Sequence, residues 1–234
     1  MAQQSVTEAA AVVDPSWKGL YRIGGISAIL YVVLSLVVPG MQVLFTQYDF
    51  SMDAATLLSF IASNNVWWIT LQTLVLGTSI LAIVAFVALF VALKNVNKSY
   101  ALTGAVVAGT CEVLFMAYYP VLLGLGYLSD QYPAATESQQ EALATAAEAL
   151  LAQNNAFNPL YESVFVVGIL FLSIAMLKGV FHKGVAYVGI MIAPAAIIAL
   201  GLWPVLGVNY FWWWILFMIW FVAVGWKLYR FGGG

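Results

Sequence analysis

The sequence predicts an all-α integral membrane protein, a six-helix bundle with both termini cytoplasmic and a short extramembrane helix between spans three and four. Three observations carry this expectation. Hydrophobic residues make up 64% of the 234-residue chain and charged residues 8%, whereas roughly a quarter of a soluble domain is charged; mean hydropathy is +0.96. Uncharged runs of about 20 residues, the length that crosses a hydrocarbon layer, recur six times. All eight Lys and Arg fall on one side of the topology those runs define. The whole chain, 1–234, reads as one polytopic domain whose first partner is the lipid bilayer, and nothing in it marks a nucleic-acid partner. A single Cys cannot form an internal disulfide, so the redox compartment stays open.

The runs follow in order after a cytoplasmic tail, residues 1–20. The first, Ile23 to Phe45, is too long for a secretory signal, follows acidic Glu8 and Asp14, and shows no small-residue cleavage site, so it stays as a span. Val66 to Leu93 is the second. Tyr100 to Leu128 is the third and contains Pro120; Leu160 to Leu177 is the fourth. Val185 to Leu206, with Pro194, and Tyr210 to Leu228 complete the set. The two prolines should bend their spans, and carbonyls freed there could line a cavity. Gly24 with Ala28, and Gly104 with Ala108, give the small-xxx-small spacing that lets helices approach closely in lipid.

Orientation follows from charge. Lys18 and Arg22, Lys94 and Lys98, Lys178 and Lys183, and Lys227 and Arg230 flank the spans on one side. The opposite loops carry Asp49, Asp53, Asp130, Glu137, Glu141 and Glu148. The excess of Lys and Arg marks the cytoplasmic side, which points to the inner (plasma) membrane with an acidic outer face. Aromatic residues fit the same frame, because an apolar ring with a polar tip suits the membrane-water boundary. Trp17, Tyr21, Tyr100, Tyr187, Trp226 and Tyr229 lie at the inner boundary. Trp67, Trp68, Tyr127, Tyr161, Trp203, Tyr210 and Trp212 to Trp214 lie at the outer one. Three consecutive Trp point around a helix rather than along one face, so they read as an interfacial anchor more than as a ligand platform.

The outer loop, residues 129–159, should contain a helix. Ser138 with Glu141 fits a capping box, and Leu143, Ala147, Leu150 and Leu151 form an amphipathic stripe against Glu137, Gln140, Glu141, Glu148 and Gln153. Its acidity suits a cap over the bundle, a docking face for another protein or a solvated connection better than anionic headgroups.

Intramembrane chemistry should announce itself as ionisable residues. Glu112 sits roughly 18 Å from the inner end of span three, near the midplane, and Glu162 about a turn inside the outer boundary. No Lys, Arg or His lies at midplane depth. Glu112 is most simply a neutral acid hydrogen-bonded to hydroxyls such as Tyr31, Thr78 or Ser79, on a helix face shared with Tyr119. It is either a ligand or proton site or a buried interhelical hydrogen bond. Elsewhere the residues offer no catalytic constellation, no metal cluster and no cofactor motif. His182 belongs to a cytoplasmic loop, and Cys111 reads as a small packing residue.

Leu20-Tyr21-Arg22-Ile23-Gly24-Gly25 opens the first span. Leu93-Lys94-Asn95-Val96-Asn97-Lys98 followed by Tyr100-Ala101-Leu102 forms the second inner loop. With Gly168 to Phe171 and Gly179, Gly184 and Gly189, these segments resemble domain-of-unknown-function family 4386. Phe181-His182-Lys183 departs from the Pro-containing turn expected there. The resemblance implies a six-span bacterial or archaeal membrane protein with no assigned activity, and carries over no functional residues.

Two functions remain open. An accessory or structural subunit of a membrane protein complex, meeting other membrane subunits through its spans and acidic outer loop, is slightly favoured. The alternative is a proton-coupled carrier or hydrophobic small-molecule binder using Glu112.

Overall fold

The computed structural model describes residues 13–46, 52–202, 205 and 212–233. Among them the chain is helical, without strands. The helices are α1 (Lys18–Thr46), α2 (Ala54–Ser63), α3 (Asn65–Leu93), α4 (Lys98–Tyr118), α5 (Pro120–Gln131), α6 (Glu137–Met176), α7 (Lys183–Gly201) and α8 (Trp212–Gly233). Among the described residues, six stretches are long and apolar enough to cross a membrane, with α4 and α5 together forming one of them and α2 too short to count. Helices are the form such segments must take, since hydrocarbon offers no partner to an exposed N–H or C=O.

The chain divides into two compact units. The first comprises Met1–Val32, Ile80–Val113 and Tyr161–Gly234, and the second Val33–Ser79 and Leu114–Leu160.

In the first unit, glycines set the helix spacing. A Cβ on Gly24 would meet the Ala88 methyl, and one on Gly25 would lie 2.5 Å from the Tyr229 nitrogen. Gly104 would meet the Leu172 nitrogen at 2.7 Å, and Gly168 the Ala108 nitrogen at 2.6 Å. Both expected small-xxx-small pairs, Gly24 with Ala28 and Gly104 with Ala108, therefore sit at close helix contacts. Inside, aromatic rings fill the space: Tyr31 meets Phe217 and Phe221 edge-on, and Phe165 touches Phe86, Phe217 and Trp214. The turns between helices are short. The Asn97 side chain accepts from the Tyr100 N–H at the start of α4, and His182 Nδ1 accepts from the Gly184 N–H at the start of α7.

The second unit has its own core, built by Ala54, Leu57, Leu58 and Ile61 of α2 with Trp68, Leu125 and Ala147. Asp53 caps α2: its carboxylate accepts from the Thr56 N–H at 2.9 Å and the Thr56 hydroxyl at 2.7 Å. Those bonds hold the Asp53 carboxyl below its ordinary value, the backbone bond contributing most. The Trp68 indole N–H donates to the Leu122 carbonyl, and the Asn65 amide donates to the Asp130 carboxylate.

Several expectations are revised. Residues 46–65, read as loop, contain α2; Asp49 lies outside the described residues. The span expected over Tyr100 to Leu128 is two helices meeting at Tyr119, because Pro120 cannot donate to the preceding turn and instead opens α5. The amphipathic segment of the outer loop is not a separate helix. It is the first half of α6, whose 40 residues run unbroken through Pro159 for roughly 60 Å. The capping pair lies two residues earlier than Ser138 and Glu141: Gln139 Oε1 accepts from both the N–H and the hydroxyl of Thr136. Of the triple Trp, only Trp212 is exposed; Trp213 is buried, its ring 4.9 Å from that of Trp214 and tilted by 32°. Trp68 and Tyr161, two of the aromatics assigned to the outer boundary, are buried within the protein, which leaves their level along the helices as expected. Trp203 and Tyr210 lie outside the described residues.

The glycine contacts yield a paired test. Gly104→Ala drives a methyl into backbone and should destabilise the protein by about 1–3 kcal/mol. Gly109→Ala, on the same helix with nothing within 4 Å of the added carbon, should leave thermal unfolding in detergent unchanged. Equal melting temperatures for both variants would contradict the packing.

Candidate functional site

The contacts of α4 with α6 fix an antiparallel register. Gly104 lies against Leu172 and Ala108 against Gly168. Each step of four residues along one helix is a step of four back along the other, so Glu112 comes level with residues 161–165. Tyr161 and Phe165, one turn apart, flank that level. The Tyr161 hydroxyl donates to Glu112 Oε1 at 3.1 Å, and the Tyr161 ring stacks on Phe165.

The carboxyl is 1% exposed and lies 14 residues from Lys98, roughly 21 Å along α4. Glu162, 3% exposed, is 14 residues from the C-terminal end of α6 at Met176, which precedes Lys178, and so stands at a similar level. Every Lys and Arg of the chain stands within about two turns of a helix end or in a connecting turn.

The expected hydroxyl partners divide between the units. Tyr31 is buried in the first unit, within electrostatic reach of Tyr161, as are Glu112 and Cys111. Thr78, Ser79 and Tyr119 belong to the second unit. There the Thr78 hydroxyl donates to the Val75 carbonyl of its own helix at 2.6 Å. The Ser79 hydroxyl is buried with no hydrogen-bond partner among the described residues. The Tyr119 hydroxyl donates to Gln72 Oε1. Tyr161, which does bond Glu112, has the placement of a boundary aromatic in the sequence; counted from the end of α6 at Met176 it comes to the level of Glu112.

A carboxyl buried beside a phenol can hold or pass a proton, and it can accept a hydrogen bond from a small molecule. Cys111 is a buried thiol next to it in sequence. Among the described residues, no three His, Cys, Asp or Glu side chains gather as a metal site. No family model, curated protein or solved structure matches the chain.

Removing the phenol hydroxyl isolates the contribution of its bond. Tyr161→Phe strips a buried carboxyl of a donor and should cost about 1–3 kcal/mol of stability, read by denaturant unfolding. A loss no larger than that of Tyr187→Phe, an exposed tyrosine of α7, would show that the bond contributes nothing.

Proposed function

We propose that the protein is a proton-coupled carrier or hydrophobic small-molecule binder of the membrane, with Glu112 as its protonatable group and Tyr161 as the residue that positions it. The observation that carries this reading is a carboxyl 1% exposed, hydrogen-bonded to a phenol, with a second buried carboxyl at its level in a chain whose cations are all remote. An ionised group at such depth costs several kcal/mol and is seldom retained without use. The neutral acid accepts the Tyr161 hydrogen bond. Its proton can leave only in a conformation that admits water or a compensating cation, which couples the proton to a conformational change. The prolines within α6 and α7 and the break at Tyr119 supply backbone that can bend.

Reconstitution in liposomes under an imposed pH gradient tests this directly. Wild-type protein should acidify the lumen above the rate of empty liposomes, and Glu112→Gln should lower that rate at least about tenfold, since a barrier increase of 1.4 kcal/mol already suffices. Infrared difference spectra should contain a protonated carboxyl band that the variant lacks. Unchanged flux in Glu112→Gln sinks the proposal.

The reading as an accessory subunit of a membrane complex is favoured by one feature, the exposed acids Asp130, Glu137, Glu141 and Glu148 on α5 and α6, which suit a basic partner. Its apolar argument is weaker, because Leu143, Ala147, Leu150 and Leu151 are spent on the second unit's own core. The resemblance to domain-of-unknown-function family 4386 assigns no activity and so favours neither role.

We further place both termini in the cytoplasm of a plasma-membrane protein, on the eight basic residues alone. In intact cells lacking Cys111, a single Cys at Gln140 should react with an impermeant thiol reagent and one at Asn97 should not. The reverse pattern inverts the topology.

A further inference from the structure

The first and last long helices meet through glycine. A Cβ on Gly232 would lie 2.7 Å from the Arg22 Cβ, one on Gly25 2.5 Å from the Tyr229 nitrogen, and one on Gly225 2.9 Å from the Ala28 Cβ. This antiparallel register brings the basic end of α1 beside the basic end of α8 and assembles a ladder. The Arg22 guanidinium lies 5.9 Å from the centre of the Tyr229 ring. The Tyr229 and Trp226 rings stack 6.3 Å apart with 22° between their planes. The Arg230 guanidinium lies 5.7 Å from the Trp226 ring.

The order is therefore cation, ring, ring, cation. Arg22, Trp226 and Arg230 are exposed. An aromatic face holds a guanidinium by its plane and leaves the N–H donors at its edge, the arrangement suited to phosphate oxygens. Among the described residues of the first unit the acids are Asp14, Glu112 and Glu162. The last two are buried some 20 Å along their helices, and Asp14 accepts from the N–H and hydroxyl of Ser16.

We propose that this ladder binds the phosphate of an anionic phospholipid. The lipid source, as against a soluble phosphate, follows from what adjoins the ladder. Ile26 lies one turn beyond Arg22 on α1, and Val222 and Ile219 lie one and two turns beyond Trp226 on α8; all three are exposed and apolar. On helical spacing they continue the same flank of the α1–α8 pair, an apolar lane for acyl chains leading from the headgroup. The site is independent of Glu112 and of the transport reading.

Native mass spectrometry of the full chain in mild detergent, with added phosphatidylglycerol or phosphatidylcholine, tests the proposal. Wild-type protein should retain phosphatidylglycerol at least about tenfold better, the difference that one charge-assisted hydrogen bond makes. The double variant Arg22→Gln/Arg230→Gln should lose that preference. Trp226→Leu keeps every charge and removes one platform, so it should weaken retention too, and it answers the question if the double variant does not fold. Lys98→Gln/Lys183→Gln removes two exposed cations elsewhere and should keep the preference. Retention unchanged in the Arg double variant or in Trp226→Leu overturns the site. An equal loss in the Lys control reduces it to general charge, and displacement of the lipid by equimolar glycerol phosphate overturns the lipid assignment.

Discussion

Gly104, Ala108 and Gly168 let the backbones of α4 and α6 approach until an added Cβ would stand under 3 Å from main-chain atoms, and the arrangement around Glu112 depends on that approach. In lipid no hydrophobic drive separates helix from solvent, so association rests on dispersion between closely fitted surfaces and on the few hydrogen bonds across them. The fit also sets register. Two glycine contacts four residues apart on each helix leave one antiparallel alignment, and that alignment delivers the Tyr161 hydroxyl to the Glu112 carboxyl. A slip of one residue would rotate the phenol away by about 100°.

The second unit obeys a different rule. Its core of aliphatic side chains with one indole, drawn from α2, α3, α5 and α6, follows the hydrophobic patterning familiar from soluble helical proteins. The stripe on α6 that reads as an available docking surface is covered by the partner helices α2 and α5. The acids Glu137, Glu141 and Glu148 remain exposed on α6, so an interaction through them would be electrostatic.

Polar chemistry in the first unit is distributed by cost. Cations sit at helix ends where water and headgroups are within reach, several of them laid over aromatic faces: Lys94 on Trp17, Lys227 on Phe231, and the two arginines of the ladder. The interior holds carboxyls, hydroxyls and indoles instead. The Glu112 carboxyl accepts from the Tyr161 phenol, and burying a polar group costs far less when it is hydrogen-bonded.

The sequence by itself determined the solvent, the helical class, the number of membrane-length segments and the small-xxx-small spacing of Gly24 with Ala28 and Gly104 with Ala108, because each is a property of composition or of local spacing. Glu112 stood out for the same reason: a lone carboxyl in a long apolar run is visible without a fold. Its partner was not. Tyr161 could be counted from the end of α6 at Met176, but only the tertiary structure shows that α4 and α6 pack in the register that brings its hydroxyl to Glu112. The division of the expected hydroxyls, with Tyr31 near Tyr161 and Thr78, Ser79 and Tyr119 in the other unit, likewise came from the tertiary structure. So did the burial of Trp213 and the Arg22–Tyr229–Trp226–Arg230 ladder. Such pairings depend on which helices meet and in what register, and in a chain almost uniformly apolar the hydropathy pattern carries no information about either.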